Sequence, residues 1–122
     1  MDTSRREQLK INFRKEVFEV LELIASKEEQ LDYQAKVPVA YISAELFNQW
    51  NDCYQLPKDQ DWYIEAFTKE ELEILQEFDE ALENISKITS ENPPDIYDFV
   101  NTPEWALLSH AAVIALDKLS KV

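Results

Sequence analysis

Glu70, Glu73, Glu77 and Glu80 recur at steps of three, four and three residues, a spacing that stacks four carboxylates in one row along a helix. At 1.5 Å of rise per residue the row is about 15 Å long. It can lie against a basic protein surface, or it can join acids of a facing helix to hold Mg²⁺ in a metal-dependent nucleotide hydrolase. For the hydrolase, Glu29-x-x-Asp32 and Glu77-x-x-Glu80 are the candidate pairs, but no basic cluster accompanies them to hold phosphates. A solvated helix face has the same composition, yet such a face normally mixes signs. On this helix Glu83 to Lys87 is the one i,i+4 pair with the glutamate on the N-terminal side, whereas like charges such as Glu73 and Glu77 cost about 0.2–0.5 kcal/mol per pair. Tolerated repulsion points to a basic partner.

Asp59 and Asp61 precede the row, and Tyr54, Trp62 and Tyr63 flank them. Aromatic rings beside charges are the composition of interface anchors, although Trp and Tyr also fill cores and for Trp62 the core reading is the slightly favoured one. The expected partner-binding surface is therefore Glu70, Glu73, Glu77, Glu80, Asp59, Asp61, Trp62 and Tyr63. No catalytic set accompanies it. His110 is the only histidine, with no histidine or glutamate three or four residues away to make a helical ligand pair, so a structural role is expected. Cys53 falls on an apolar stripe, where a small buried thiol is inert. With no glycine in the chain, Gly-rich phosphate loops and nucleotide fingerprints are excluded. No cofactor or metal is implied.

The formal net charge of −13 is unevenly spread: residues 59–98 hold 13 acids against Lys69 and Lys87, while every arginine lies at or before position 14. Nucleic-acid binding needs cations that neutralise phosphates, and this field would repel the backbone. It would also repel anionic membrane surfaces. A lone cysteine, no signal-peptide pattern and no run of 18 apolar residues make a cytoplasmic location the expectation.

The elements that must position the row are helical. In 122 residues at average usage about eight or nine glycines are expected, and their absence disfavours tight hairpins while leaving helices easy. Leu9, Phe13, Val17, Val20, Leu21 and Ile24 repeat at helical spacing behind Ser4-x-x-Glu7, a capping-box pattern, and predict a helix over 4–29. Ile11 and Phe18 lie opposite, either covered by a later segment or forming a homodimer contact. Pro38 and the stripe Val39, Ile42, Leu46, Trp50, Cys53 predict a helix over 38–54. A short helical turn is expected near 62–66. Thr68-x-x-Glu71 is a second capping box, and Leu72, Leu75, Phe78, Leu82 and Ile85 continue it as a helix over 68–86. Pro93 and Pro94 break the pattern before a second short turn near 95–100. Thr102-Pro103-Glu104 then starts a helix over 103–119, apolar around most of its circumference and expected to be central.

These elements define an all-α irregular bundle of four main helices in one acidic domain. The expected function is non-catalytic: a protein-protein interaction domain, an acidic inhibitor or immunity-type protein that blocks a cationic enzyme such as a nuclease.

Overall fold

The computed structural model describes residues 3–36, 42–88 and 100–122, with the side chains of 42–44 and 88 left aside. The fold is all-α, with no strand among the described residues. In chain order the helices are α1 (Thr3–Ala25), α2 (Lys27–Lys36), α3 (Ile42–Trp50), α4 (Asp61–Glu65), α5 (Lys69–Ile88) and α6 (Pro103–Ser120). The longest packing seams join α6 to α1 and to α5, and α4 lies against α1.

The helix expected over 4–29 is two helices. Ser26 interrupts it, because its Oγ accepts the Glu29 N–H at 3.2 Å and its carbonyl accepts the Gln30 N–H at 3.2 Å, which makes it the N-cap of α2. At the other end, Thr3 and Ser4 are both helical, and Glu7 pairs with Lys10 at 2.9 Å. The expected Ser4 cap is therefore inside the helix.

A chain without glycine must end α1 by other means, and among the described residues no backbone φ is positive. Side chains take over. The Gln30 amide, fully buried, donates to the carbonyls of Leu23 and Ile24, both at 3.0 Å, and Ser109 Oγ donates to that of Ala25 at 3.1 Å. The Gln30 oxygen in turn accepts Trp105 Nε1–H at 2.7 Å. One glutamine thus ties the end of α1 to α2 and α6, bonding the Ile24 carbonyl and joining the Ser26 N–H at that of Leu23.

Residues 38–41 of the expected second helix lie outside the described residues, as does most of the turn expected near 95–100. After α3 the chain widens through Asn51–Gln55, where the Leu56 N–H reaches the Asn51 carbonyl at 3.0 Å in an i→i+5 bond. That widening turns both Cys53 and Tyr54 inward. Tyr54 stacks on Trp50 with ring centroids 4.9 Å apart, and Phe78 meets Trp50 edge-on at 4.6 Å. These rings join Val17, Leu21, Ile24, Leu46, Tyr63, Leu75 and Leu108 in a single core.

Both predicted caps on the later helices form. Thr68 Oγ1 accepts the Glu71 N–H at 3.1 Å while a Glu71 oxygen accepts the Thr68 N–H at 2.9 Å. Thr102 Oγ1 accepts the Trp105 N–H at 3.2 Å, with Pro103 in the first turn. The last helix is less enclosed than its composition suggests. Among the described residues it packs mainly on α1 and α5, and Leu107, Val113 and Ile114 remain 55%, 48% and 41% exposed.

Candidate functional site: an acidic crest between two grooves

Helix α5 holds the glutamate row because its apolar residues claim the opposite side. Leu75, Phe78, Leu82 and Ile85 are buried, so Glu70, Glu73, Glu77 and Glu80 all emerge on the solvent face. They form a crest. Glu77 accepts a salt bridge from Lys118 of α6 at 2.8 Å, and Glu80 accepts a long hydrogen bond from Gln76 at 3.4 Å. Glu70 and Glu73 have no ion pair or hydrogen bond among the described side chains.

A concavity flanks the crest on each side, mixed in character toward α4 and apolar toward α6. Toward α4 lies a pocket of about 450 Å³ lined by Tyr54, Lys58, Asp59, Ile64, Leu72, Gln76, Asp79 and Glu80. Asp79 is committed there to structure, accepting Trp50 Nε1–H at 2.9 Å and the Gln55 amide at 2.8 Å. Asp59 and Glu80 complete the negative rim. Burial raises the Tyr54 hydroxyl to about 12, and the charges of Asp79, Asp59 and Glu80 push the same way. Lys58 Nζ sits 5.8 Å from the centre of the Tyr54 ring, within range of a cation–π contact. The pocket therefore already accommodates an ammonium group.

Toward α6 the crest borders a smaller apolar hollow of about 200 Å³ lined by Ile74, Phe78, Ala81, Ala111, Ile114 and Ala115, with Glu77 and Lys118 at its edge. Nothing in sequence announced these grooves. The hollow joins α5 to α6 across about 30 residues of sequence, and the pocket toward α4 depends on how the chain folds back between Tyr54 and Glu80.

The expected surface needs two corrections. Tyr63 is fully buried, its hydroxyl donating to the Cys53 carbonyl at 2.8 Å, and burial raises its pKa well above the ordinary phenol value. Trp62 is half-buried, its ring tilted on Phe13 with centroids 5.1 Å apart. These two rings belong to packing between α4 and α1, because an amphipathic aromatic composition serves a core edge as well as an interface. Asp59 and Asp61 are exposed as expected.

Three of the N-terminal cations pair with acids outside the row. Arg6 and Lys10 bind Glu65 at 2.9 and 3.1 Å, and their hydrogen bonds hold its carboxyl below the usual range. Arg14 engages Glu71, which is 5% exposed. The proposed dimer contact at Ile11 and Phe18 is also altered: Ile11 is 60% exposed, but Phe18 packs on the core beneath the Arg14 guanidinium, 5.2 Å from its ring centre.

Other chemistry-bearing residues are apart from this face. A second hollow of about 390 Å³ is bordered by Glu16, Glu19, Asp52 and Tyr33. Cys53 reaches its floor but is 2% exposed, and burial, together with the charges of Glu16 and Asp52, pushes its thiol up to about 12. His110 is exposed on α6. Of the carboxylate pairs considered for a metal, Asp32 is bridged to Lys36 at 2.7 Å on α2 and Glu77 to Lys118. Among the described residues no group of three or more His, Cys, Asp or Glu side chains is arranged to hold a metal ion. No helix there is long and apolar enough to cross a membrane.

Comparison with protein-family models, curated proteins and solved structures finds no match to this chain.

Proposed function

We propose that the protein is a non-catalytic interaction module that takes a basic protein partner on the face formed by the α5 crest and the Lys58–Asp61 loop. The observation that carries this reading is the exposed row Glu70, Glu73, Glu77 and Glu80, with a single cross-helix salt bridge among the described residues, while Arg6 and Arg14 of α1 are spent on Glu65 and Glu71. Carboxylates spaced along about 15 Å match the cationic grooves in which enzymes hold phosphates, which favours an inhibitor or immunity-type role against such an enzyme. The pocket of Tyr54, Ile64 and Leu72 adds apolar ground for the stem of a lysine or arginine, with Asp59 and Glu80 placed for its charge.

Affinity purification from the native host tests this, with wild type and a Glu73→Lys/Glu77→Lys variant compared at about 0.05 and 0.5 M salt. A basic protein retained by wild type at low salt, released at high salt and missed by the folded variant is the expected result. Identical retention profiles for wild type and variant would refute the reading.

A further inference from the structure

We infer that the hollow between α5 and α6 is the seat of an amphipathic basic helix of the partner, which lays its apolar stripe along Ile74, Phe78, Ala111 and Ile114 and its cations over the glutamate crest. The inference rests on the basic-partner reading and specifies how that partner docks.

Three features converge on this occupant. The hollow is apolar and about 200 Å³, below the roughly 300–1,000 Å³ of pockets that enclose a small molecule, so it suits one side chain projecting from a larger body. Its wall reaches solvent at Ile114, 41% exposed, and Leu107, seven residues earlier on the same side of α6, is 55% exposed, so burial against a partner would remove both from water. Among the described residues the unpaired charge nearby is negative and on α5. Glu77 edges the hollow, bridged to Lys118 of α6 at 2.8 Å, and Glu70, Glu73 and Glu80 lie along the exposed crest beyond it, while Asp117 of α6 is bridged to Lys121 at 3.0 Å. A helix with apolar residues at i, i+3, i+4 and i+7 and lysines or arginines along one flank complements that layout. A second copy of this chain would bring its own crest of like charge toward the first, which disfavours self-association through this face.

The experiment uses a synthetic leucine-lysine peptide of about 18 residues, long enough to fold on a surface, with leucines at helical spacing, and an isomer of identical composition whose leucines are scattered. Binding is followed by fluorescence anisotropy and by amide chemical shifts of the whole protein. The amphipathic peptide should bind at least about tenfold more tightly than its isomer, and shift Phe78, Ala81, Ala111 and Ile114 most. Ile114→Ser, at an exposed position, and Ala81→Gln, which fills the hollow, should each abolish that preference without lowering Tm. Equal binding of the two isomers, with shifts confined to the crest, would overturn the groove and leave the basic-partner reading standing. No binding of either peptide at low salt would overturn both. Binding insensitive to Glu73→Gln/Glu77→Gln would remove the charged half of the inference. A concentration-dependent dimer lost in Ile114→Ser would assign the face to a second copy, and a marked fall in Tm in both variants would assign the hollow to the protein's own packing.

Discussion

Arg14 of α1 grips Glu71 of α5 with both terminal guanidinium nitrogens, at 2.8 and 2.7 Å, across 57 residues of sequence. The same guanidinium donates to the Ala66 carbonyl at 3.2 Å and lies 5.2 and 5.4 Å from the ring centres of Phe18 and Phe67. Glu71 meanwhile closes the Thr68 capping box. One ion pair therefore fixes the start of the crest-bearing helix to the first helix of the chain, and bidentate geometry sets its direction as well as its distance. The crest is presented by a helix whose origin is pinned.

Removing the arginine should be costly. In Arg14→Ala the Glu71 carboxylate, 6% exposed in its side chain, keeps its backbone partner but loses its counter-charge. A fully buried broken pair costs about 3–5 kcal/mol and a surface pair under about 1. The Arg14 side chain is 41% exposed, so solvent screens the pair and about 2 kcal/mol is expected, or roughly 8 °C in Tm. Arg14→Lys should recover only part of this, since one ammonium cannot make the paired contact. Thermal denaturation of both variants checks the order. Equal stability of Arg14→Ala and wild type would show that the pair contributes nothing.

The pair also sets a pH dependence. The Arg14 hydrogen bonds hold the Glu71 carboxyl below its ordinary value. A carboxyl whose folded-state pKa is depressed contributes stability that is present above its unfolded value, near 4.3, and lost as pH falls through the lower folded value. Wild type should therefore lose stability below about pH 4 faster than Glu71→Gln, which is weaker at pH 7 but carries no such group. Urea midpoints between about pH 7 and 3 should converge on the acid side; parallel curves would mean that Glu71 titrates alike folded and unfolded.

How much of this was legible depended on range. The Thr68 and Thr102 caps involve residues three apart, and their local chemistry showed in sequence. So did the crest, whose 3-4-3 spacing needs only helical geometry. The Ser26 cap is local too, three residues from Glu29, yet it is absent from the expected helix over 4–29, because the apolar spacing of Leu9 to Ile24 says nothing about where that helix stops. Arg14–Glu71 and Trp105–Gln30 span 57 and 75 residues, beyond any periodic pattern. Tyr63 was misplaced for another reason, since an aromatic ring beside acids is ambiguous until the chain's path decides which side faces water.

Gln30 offers a sharper test of the packing. Gln30→Leu would strip the Ile24 carbonyl and the Trp105 indole N–H of this partner and leave the Leu23 carbonyl only the Ser26 N–H, and an orphaned buried group costs about 1–3 kcal/mol. A loss of about 3 kcal/mol is expected, with some groups regaining water. Gln30→Glu should be worse, because a carboxylate has no N–H to give those carbonyls and would be buried without a counter-charge. Chemical denaturation should rank wild type above Gln30→Leu above Gln30→Glu. The reverse order for the two variants would mean that the amide donor is not the essential group.

Cys53 should be chemically silent in the native protein. With its thiol raised to about 12 and its surface covered, thiolate at pH 7 is scarce, about one part in 10⁵. An aromatic disulfide reagent should label it only as fast as the protein unfolds, and at full speed in urea. Prompt labelling without denaturant would place the thiol in contact with solvent and reopen it as a reactive group.

The last prediction asks whether the crest exists for stability or for binding. Glu73 stands between Glu70 and Glu77 at helical spacing, and each like-charge contact costs about 0.2–0.5 kcal/mol. Glu73→Gln keeps the size and helix propensity of the side chain and leaves the Glu77–Lys118 bridge intact. It should therefore raise stability by about 0.5 kcal/mol at low salt, and the gain should shrink toward zero at about 1 M salt, where the Debye length is about 3 Å. The same substitution should weaken binding of a basic partner. A variant that is more stable and binds less identifies a carboxylate kept at a cost to the fold. If Glu73→Gln instead lowers Tm at every salt concentration, the row is part of what holds α5 together, and the argument from tolerated repulsion to a basic partner loses its footing.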